Sequence, residues 1–481
     1  MDVSVNASPA DPSMAGLRRI ADLPGPKGLP IVGNAWQLES LHFHQGLENW
    51  AREFGPMYRI RMGRKLIVVI ADNALIGGLL RDRPDALRRS SRSSGILSEL
   101  GTSGVFSHEG EEWRKERKLV MRGLTPDVIR RFFPTMAMMT ERLRQRWMAA
   151  VITGRQVDVL RDLKAYALDI TLGLAMGQDL NCLEHDANPL QRDIELIFYR
   201  IARRLTAPVA YWRHFKLPAD RAADVAVQRI DAAVRGFIER TRQELAGNPE
   251  RAAKPANMLE ALLVARDEPD SGFSDEHVVG NAITMVFAGE DTTSNTIAWL
   301  LNFVARHGDV AAAIRSEADA VLGGDMVLQD FAGLENFPYL DAATNEAMRL
   351  KPVAPILGLE TNKDMAIGGV LVPQGTIMLA ALRAGGMSAQ NFAKPNVFSP
   401  ERWLEGEVAA NDDPARKLFP FGGGPRFCPG RFLALAEVKM VTSMLTRNFT
   451  LGFDRCAPPV KELFTFTMTP SALPVKLSLR T

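Results

Sequence analysis

Cysteine, histidine and tyrosine are scarce in this chain of 481 residues, which has three cysteines, seven histidines and five tyrosines. Three cysteines without a C-x-x-C pair argue against a disulfide scaffold and indicate a reducing compartment. The formal net charge is only +2, so the chain lacks the basic excess typical of nucleic-acid-binding proteins. The first 22 residues lack the apolar run of a secretion signal or membrane span. We therefore expect a soluble, cytoplasmic protein with a disordered leader over residues 1–22.

The pattern of apolar residues predicts a helix-rich protein with small β-sheets near its ends, that is, a mainly α (α+β) fold. Alternation from Tyr58 to Ile70, with a turn at Gly63, predicts a hairpin. Helical spacing dominates from residue 111 to about 336, with breaks at 125–126, 207–208, 217–218 and 249–255. Strand-like composition returns at 367–380 and 464–479. No linker divides the chain, so we predict one domain over residues 23–481, a size that a large buried cofactor would explain.

The segment Phe421-Gly-Gly-Gly-Pro-Arg-Phe-Cys428-Pro-Gly430 is the most specific feature of the sequence. Its glycines allow close backbone approaches, and its prolines stiffen the loop on both sides of the sulfur. Apolar residues at helical spacing follow Gly430, so Cys428 lies just before a helix N-terminus, which stabilises a thiolate. An isolated buried cysteine is usually inert, and no histidine lies nearby for a Cys/His metal site. The whole context instead favours a reactive thiolate.

The pattern Phe421-x-x-Gly424-x-Arg426-x-Cys428-x-Gly430 resembles the haem-binding signature of the cytochrome P450 superfamily, and the likeness extends from about Leu23 to Leu479. It implies the cytochrome P450 fold, haem b as cofactor and Cys428 as the metal ligand. A thiolate ligand favours O–O cleavage at a haem iron. The residues expected to contact the haem are Trp113, Arg117, Ala288, Gly289, Phe421, Gly422, Arg426, Cys428 and Gly430.

A long helix is predicted from Ser274, a side-chain cap followed by two acids, to about Arg306. Its middle, Ala288-Gly-Glu-Asp-Thr292, places two acids and a glycine in apolar surroundings. Such a departure from helix preferences is expected where function overrides stability. Small residues at 288 and 289 leave room for a ligand, and an acid beside an alcohol suits proton transfer. The resemblance implies that Asp291 and Thr292 deliver protons to bound dioxygen; we add Glu290 as a catalytic candidate.

Two further motifs fit the same resemblance. Glu346 and Arg349 match E-x-x-R and, with Arg402, resemble the buried structural triad that supports the cysteine loop. Trp113 and Arg117 match W-x-x-x-R, which implies contacts to the haem propionates; a plain surface pair is the alternative. The stretch from Arg383 to Asn391 lacks the aspartate-proline pair of many relatives, so propionate contacts from that region are not assigned.

By family alignment the substrate contacts form an apolar set, which implies an apolar or weakly polar small organic substrate. They are Ile96, Phe106, Ala288, Val353, Ile356, Leu357, Phe464 and Phe466. A basic patch is also expected on the thiolate side, where it suits an acidic electron donor, although scattered solvated charges are the alternative. Its members are Arg114, Lys115, Arg117, Lys118, Arg416, Lys417 and Lys439.

The leading hypothesis is a monomeric monooxygenase that inserts one oxygen atom from O2 by hydroxylation or epoxidation. No flavin or iron-sulfur segment is fused to the chain, so electrons from NAD(P)H would arrive through a ferredoxin or flavodoxin and its reductase. One alternative is a peroxide-driven haem-thiolate peroxygenase or an isomerase; the acid-alcohol pair speaks against it. The other is a non-catalytic haem sensor or carrier.

Overall fold

The computed structural model describes residues 16–184, 188–269, 271–404 and 418–480. Most of these residues lie in helices, and none of the described helices is both long and apolar enough to cross a membrane. The helices are α1 (Phe43–Phe54), α2 (Asn73–Arg81), α3 (Ser91–Glu99), α4 (Gly110–Arg122), α5 (Pro126–Ile152), α6 (Val159–Met176), α7 (Pro189–Thr206), α8 (Pro218–Ala246), α9 (Pro249–Ala253), α10 (Met258–Asp267), α11 (Asp275–Val304), α12 (Gly308–Leu322), α13 (Pro338–Leu350) and α14 (Arg431–Asn448).

Short strands form four small sheets. They are β1 (Arg18–Arg19), β2 (Met57–Met62), β3 (Lys65–Ile70), β4 (Leu87–Arg89), β5 (Ile356–Thr361), β6 (Met365–Ile367), β7 (Val370–Val372), β8 (Ile377–Ala381), β9 (Phe449–Phe453), β10 (Glu462–Phe464), β11 (Met468–Pro470) and β12 (Val475–Leu479). The largest sheet has the order β2-β3-β8-β5-β4, in which only β3 and β8 run parallel. The others are β1-β7-β6, β10-β11 and β12-β9. The predicted mainly α fold with small sheets is confirmed.

Local sequence signals set most element boundaries. The predicted hairpin is the β2–β3 pair, and Gly63 takes the positive φ of 60° that its turn requires. Prolines open α5 and α8 at their first turns, where a missing N–H costs nothing, and α7 ends at Thr206 before Ala207-Pro208. The predicted break at 249–255 contains the five-residue helix α9, which the prolines at both sides keep short.

The predicted leader does not extend to residue 22. Residues 1–15 lie outside the described residues, but Arg18 and Arg19 pair with Val370 and Leu371 as a parallel strand. Ile20–Asp22 then form a 3-10 turn, and Leu23 is buried in the core of the sheet region. The expectation was wrong for residues 18–22 because strand pairing with β7, distant in sequence, cannot be inferred from composition.

Helix α11 crosses the centre of the molecule and is buried along most of its length. Its Ser274 cap accepts a hydrogen bond from the His277 N–H, as predicted, and the helix ends at Val304, two residues earlier than expected. Helices α6 and α14 both pack against it. An apolar helix surrounded on most faces must be internal, so α11 lies inside the fold and against the helix that follows the cysteine loop.

Candidate active site

Cys428 lies three residues before α14, in the loop that the glycines shape. Gly422 and Gly424 have φ values of 72° and 63°, and a Cβ on Gly424 would lie 2.0 Å from the Leu80 carbonyl oxygen. Only glycine therefore fits against α2 at position 424. The Cys428 N–H donates to the Phe421 carbonyl at 2.8 Å, which closes the loop behind the sulfur.

The sulfur lies in surroundings that both oppose and favour its charge. Burial raises the pKa of the Cys428 thiol, whereas the N–H groups of Gly430 and Arg431 and the charge of Arg117 act in the opposite direction. The predicted stabilisation at the helix N-terminus is thus present but smaller than the effect of burial. A coordinated metal cation deprotonates a thiol outright, so this position suits a metal ligand.

Arg83, Arg89 and Arg426 form a cationic group beside this loop, called here the arginine cluster, and Glu109 is the acid among them. Arg426 Nη2 lies 2.6 Å from Glu109 Oε2, and the backbone N–H of Arg89 donates to Glu109 Oε1 at 2.8 Å. Burial and the neighbouring positive charges lower the pKa of Arg89 to about 9, while burial lowers that of Arg426 to about 10. Within the described part of the chain, Arg83 Nε and Nη2 and Arg426 Nε are buried without a hydrogen-bond partner.

Three guanidinium groups against one carboxylate leave a buried excess of positive charge, which is costly unless an anion balances it. The two propionates of a haem would supply that balance, and the unpartnered Nε and Nη2 atoms are the donors that propionate oxygens require. The arginine cluster therefore fits the haem that the Cys428 motif implies. Arg83, Arg89 and Glu109 were missed from the sequence, since no motif marks them.

The two W-x-x-x-R residues lie on α4 as predicted but make different contacts. Trp113 is 5% exposed, and the Arg426 guanidinium lies over its ring at 4.3 Å from the centroid. Arg117 Nη2 donates to the Phe427 carbonyl at 2.6 Å, and its guanidinium also lies over the Phe427 ring. Trp113 therefore belongs with the arginine cluster, whereas Arg117 holds the backbone next to the sulfur.

On α11 the small residues at 288 and 289 have separate roles. Ala288 is exposed in the middle of a buried helix, which marks the open space at this level. Gly289 instead faces α6, because a Cβ on it would lie 1.9 Å from Thr171 Oγ1. The prediction that Gly289 leaves room for a ligand is wrong in this respect: the missing side chain makes room for a neighbouring helix.

Asp291 is 3% exposed and is held by contacts that the sequence did not indicate. Thr467 Oγ1 donates to Asp291 Oδ2 at 2.6 Å, and Asn295 Nδ2 donates to Oδ1 at 2.9 Å. Burial raises the pKa of this carboxyl, against the charge of Lys164 and these two hydrogen bonds. The Thr292 hydroxyl donates to the Ala288 carbonyl at 2.7 Å, so the two predicted partners face different neighbours.

Glu290 is fully buried, and neither of its carboxyl oxygens has a hydrogen-bond partner among the residues that the structure describes. Burial raises its pKa well above the usual range, and the charge of Lys164 opposes that rise only in part. Lys164 Nζ lies 2.8 Å from Glu195 Oε1, whose side chain is 42% exposed. Burial lowers the pKa of Lys164, but the charges of Asp291, Glu195 and Glu290 outweigh it and the net shift is upward. Lys164 and Glu195 thus act on the acids of α11 through their charges.

The expected structural triad is assembled. Glu346 Oε1 lies 2.8 Å from Arg349 Nη2 and 2.9 Å from Arg402 Nε, and all three side chains are buried. Trp403 Nε1 donates to Glu346 Oε2 at 3.0 Å, and Arg349 also donates to the Val397 carbonyl. These bonds tie α13 to the segment that precedes the cysteine loop. Arg383 is paired with Glu48 and Glu462, which agrees with leaving it out of the propionate contacts.

Five of the expected substrate contacts fall into two groups. Ile96, Ile356 and Phe464 line one cavity of about 370 Å³. Phe106 and Phe466 pack together at 6.0 Å between ring centroids, and Phe466 also stacks on Phe198 of α7. The Val353 carbonyl accepts from the Met468 N–H, and Leu357 lies in β5. Phe198 was not predicted, because its place in this aromatic group depends on the packing of α7.

The comparison with known proteins agrees with this geometry. The family model for cytochrome P450 matches residues 23–477. The mouse (Mus musculus) protein "25-hydroxyvitamin D-1 alpha hydroxylase, mitochondrial" is 28% identical over 474 residues, which cover 94% of this chain and 91% of the relative. "Cytochrome P450 3A6" of Oryctolagus cuniculus is 26% identical over 451 residues, covering 91% and 87%.

A fungal relative differs in length. The "Self-sufficient cytochrome P450 monooxygenase CYP505E4" of Penicillium expansum is 27% identical over 479 residues, which cover 96% of this chain but 44% of that protein. The match of the family model to nearly the whole chain is what decides the assignment. This chain belongs to the cytochrome P450 family, a family of monooxygenases that bind haem b and draw electrons from NAD(P)H through redox partners.

Proposed function

We propose that this chain inserts one oxygen atom from O2 into an apolar or weakly polar small organic molecule, with Cys428 as the thiolate ligand of the haem iron. The observation that carries the proposal is the position of the Cys428 sulfur, in a glycine-shaped loop at the start of α14 beside the arginine cluster. When bound, the haem supplies dioxygen activation, and the thiolate favours O–O cleavage. Residues 23–481 form the catalytic unit in this proposal.

The roles of the surrounding residues follow from their contacts. Arg426, Arg89 and Arg83 would hold the propionates of a bound haem, and Trp113 keeps the Arg426 guanidinium in place. Arg117 fixes the Phe427 carbonyl and so the backbone next to the sulfur. Phe421, Gly422 and Gly430 shape the loop around Cys428.

Proton delivery is assigned to α11. The Thr292 hydroxyl, one turn from the exposed Ala288, faces the open side of the helix, and its proton can rotate from the Ala288 carbonyl toward a bound ligand. Glu290 and Asp291 are buried acids whose pKa values are raised by burial, which favours their protonated, proton-donating forms and suits general acids. Glu195 and Lys164 act on them through their charges.

Electrons are proposed to arrive through a separate ferredoxin or flavodoxin and its reductase. Lys115 and Lys118 are exposed on α4, on the same helix as the residue that supports the cysteine loop. Arg114 is also exposed but is paired with Asp85 and Glu111, so it contributes less than expected. Lys439 contributes less than expected, because its side chain is 13% exposed and paired with Asp341. Arg416 and Lys417 lie outside the described residues. A monomeric, cytoplasmic protein stays our prediction, and the three unpaired cysteines support a reducing compartment.

The deciding experiment is the absorption spectrum of the purified, reduced protein with carbon monoxide. We expect the red-shifted band of a thiolate-bound haem, and we expect Cys428→Ser to remove it while Cys456→Ser, an exposed cysteine, leaves it unchanged. Absence of the band in the native protein, or its survival in Cys428→Ser, contradicts the proposal.

A comparison of NAD(P)H-driven and peroxide-driven turnover separates the alternatives. Product formation that requires the electron donors supports the monooxygenase. Turnover with peroxide alone favours a peroxygenase, and conversion without any oxidant favours an isomerase. Absence of turnover with any substrate favours a haem sensor or carrier.

A further inference from the structure

A cavity of about 370 Å³ lies among α3, the β2–β3 hairpin, β5, β8 and the segment that follows α7. It is called here the entrance cavity. Its volume is within the range of small-molecule sites. Eleven of its lining residues are apolar: Phe43, Met62, Ile67, Ile96, Leu205, Ala210, Trp212, Ile356, Ile377, Leu379 and Phe464. Three of these, Ile96, Ile356 and Phe464, are expected substrate contacts, so the cavity adjoins the proposed substrate site.

The charged residues of the entrance cavity are all cationic. Lys65, Arg92 and Arg213 line it, and no aspartate or glutamate is among its described lining residues. Arg92 donates to the carbonyl oxygens of Arg204, Leu205 and Ala207, so a carboxylate does not neutralise it. Burial lowers the pKa of Arg92, and repulsion from the charge of Arg213 adds to that effect. An anion placed here would relieve that repulsion.

The remaining cations differ in how far they are neutralised. Arg213 Nε lies 2.6 Å from Glu99 Oε1, but Glu99 also accepts from Trp212 Nε1 and lies 3.8 Å from Arg204. Lys65 is exposed at the start of β3 and makes no ion pair within the described residues. Arg204 is also paired with Asp220, so its charge and that of Arg213 are both opposed by carboxylates. Lys65 and Arg92 have no carboxylate partner among the described residues, and they leave a net positive charge at this wall.

Hydroxyl groups lie on the same surface. Ser90, Ser91, Ser93 and Thr206 line the cavity, and the Ser90 and Ser93 oxygens are 2.8 Å apart. Ser91 is already held by the Glu360 carboxylate, which accepts from its backbone N–H at 2.8 Å, and the Thr206 hydroxyl donates to the Ala202 carbonyl. The Ser90 and Ser93 hydroxyls can donate to an anion after rotation, which would add hydrogen bonds to the charge of Lys65 and Arg92. The cavity therefore combines an apolar interior with a polar, cationic side.

We propose that the entrance cavity binds the carboxylate of an amphiphilic substrate, with Lys65 and Arg92 facing the anion and the apolar chain passing Ile96, Ile356 and Phe464. This inference rests on the proposed function and narrows its substrate class to long-chain organic acids. It also sets the regiochemistry, since a carboxylate held at the entrance directs the far end of the chain inward. An apolar chain without a charged end would gain nothing from the cationic wall.

The test is a calorimetric titration of the haem-loaded protein with dodecanoate, 1-dodecanol and dodecyltrimethylammonium at low ionic strength. These probes share one alkyl chain and differ in the charge of the end group. We expect dodecanoate to bind about 10-fold more tightly than dodecanol, and the cation to bind least. The preference should shrink as salt is added. Equal binding of acid and alcohol, or tighter binding of the cation, overturns the inference.

Two substitutions make the test specific. Lys65→Gln should weaken dodecanoate binding about 2- to 5-fold and Lys65→Glu more strongly, with dodecanol unchanged. Lys65 is exposed in a hairpin, so its replacement does not threaten folding, whereas Arg92→Gln also removes three bonds to the end of α7. Lys363→Gln, an exposed lysine that does not line the cavity, is the matched control and should change neither ligand.

The outcomes separate this inference from the proposed function. Equal losses for acid and alcohol in Lys65→Glu, or the same loss in Lys363→Gln, overturn the carboxylate site. The carbon monoxide spectrum is measured on the same preparations and tests the thiolate assignment independently. A protein with the thiolate band that prefers dodecanol retains the proposed function and loses only the carboxylate site.

Discussion

Gly289 on α11 and Thr171 on α6 are in such close contact that a Cβ on Gly289 would lie 1.9 Å from Thr171 Oγ1. Thr171 is buried, and none of the described residues forms a hydrogen bond with its hydroxyl. The two helices approach here because one position has no side chain. The contact fixes the position, relative to α6, of the proposed proton donors, which follow Gly289 directly in the chain.

This contact predicts a large effect of Gly289→Ala. Overpacking should lower the free energy of unfolding by about 1–3 kcal/mol, despite the better helix propensity of alanine. Adding Thr171→Ala should restore most of that loss, because it removes Oγ1 and Cγ2 of Thr171, the two atoms closest to the added Cβ. Urea denaturation of both single variants and the double variant measures this coupling. Gly308→Ala is the control, since nothing lies within 4 Å of its added Cβ; equal losses at 289 and 308 would contradict the packing explanation.

Glu290→Gln should stabilise the fold and impair catalysis. The raised pKa means that folded Glu290 stays protonated where the unfolded chain ionises, so its cost to stability grows as the pH rises above about 4.3. We expect Gln to add about 1–2 kcal/mol at pH 7 and nothing below pH 4. Product formed per NAD(P)H should fall, because an amide cannot pass on a proton.

Glu437→Gln is the control for that prediction. Glu437 of α14 is also buried, and burial raises its pKa well above the usual range. It is distant in sequence from the acids of α11 and has no role in the proposed proton delivery. Its replacement should stabilise the protein in the same pH range and leave the product formed per NAD(P)H unchanged. An equal fall in product per NAD(P)H in Glu290→Gln and Glu437→Gln would show that Glu290 does not deliver protons.

The structural triad predicts a pH-dependent loss of stability. Burial alone would raise the pKa of Glu346, but Arg349 and the N–H groups of Ser399 and Trp403 outweigh it and the pKa is lowered. Its contribution is therefore present above about pH 4.3 and is lost as the pH falls through the folded value. Glu346→Gln should cost about 3–5 kcal/mol at pH 7 and less at acid pH, by thermal unfolding. Asp127→Asn, in the exposed pair with Arg130, should cost less than about 1 kcal/mol.

Sequence reasoning located the groups whose signal is local. The Cys428 loop, the Ser274 cap and the E-x-x-R pair lie within short segments, where residue spacing alone sets the geometry. The bond from Thr467 to Asp291 joins residues 176 positions apart, and Lys164 reaches α11 from another helix. Such contacts depend on how elements pack, and the pattern of one segment does not contain them. Gly289 is a further example, because its contact with Thr171 cannot be predicted before the position of α6 is known.

The exposed lysines of α4 predict a salt-dependent reduction. Charge attraction between Lys115, Lys118 and an acidic donor weakens as the screening length shortens. The rate of reduction should fall steadily between low and physiological ionic strength, and Lys118→Gln should slow it about twofold at low salt only. Stopped-flow reduction with the native donor measures both effects, and Lys363→Gln should have none. A rate independent of salt would mean that this surface does not guide docking.

Thr292→Ala should bind haem normally but divert electrons from product to peroxide. The Thr292 hydroxyl donates to the Ala288 carbonyl at 2.7 Å, and its removal leaves the backbone of α11 intact while taking the proton donor from the open side of the helix. Product formed per NAD(P)H should fall about 10-fold, with peroxide rising to match. Thr296→Ala removes an equivalent bond, from Thr296 to the Thr292 carbonyl at 2.8 Å, one turn further on. Because the Thr296 hydroxyl lies further along α11 than Ala288, the product formed per NAD(P)H should stay at the native value in Thr296→Ala. An equal value in the native protein and both variants would show that Thr292 delivers no proton.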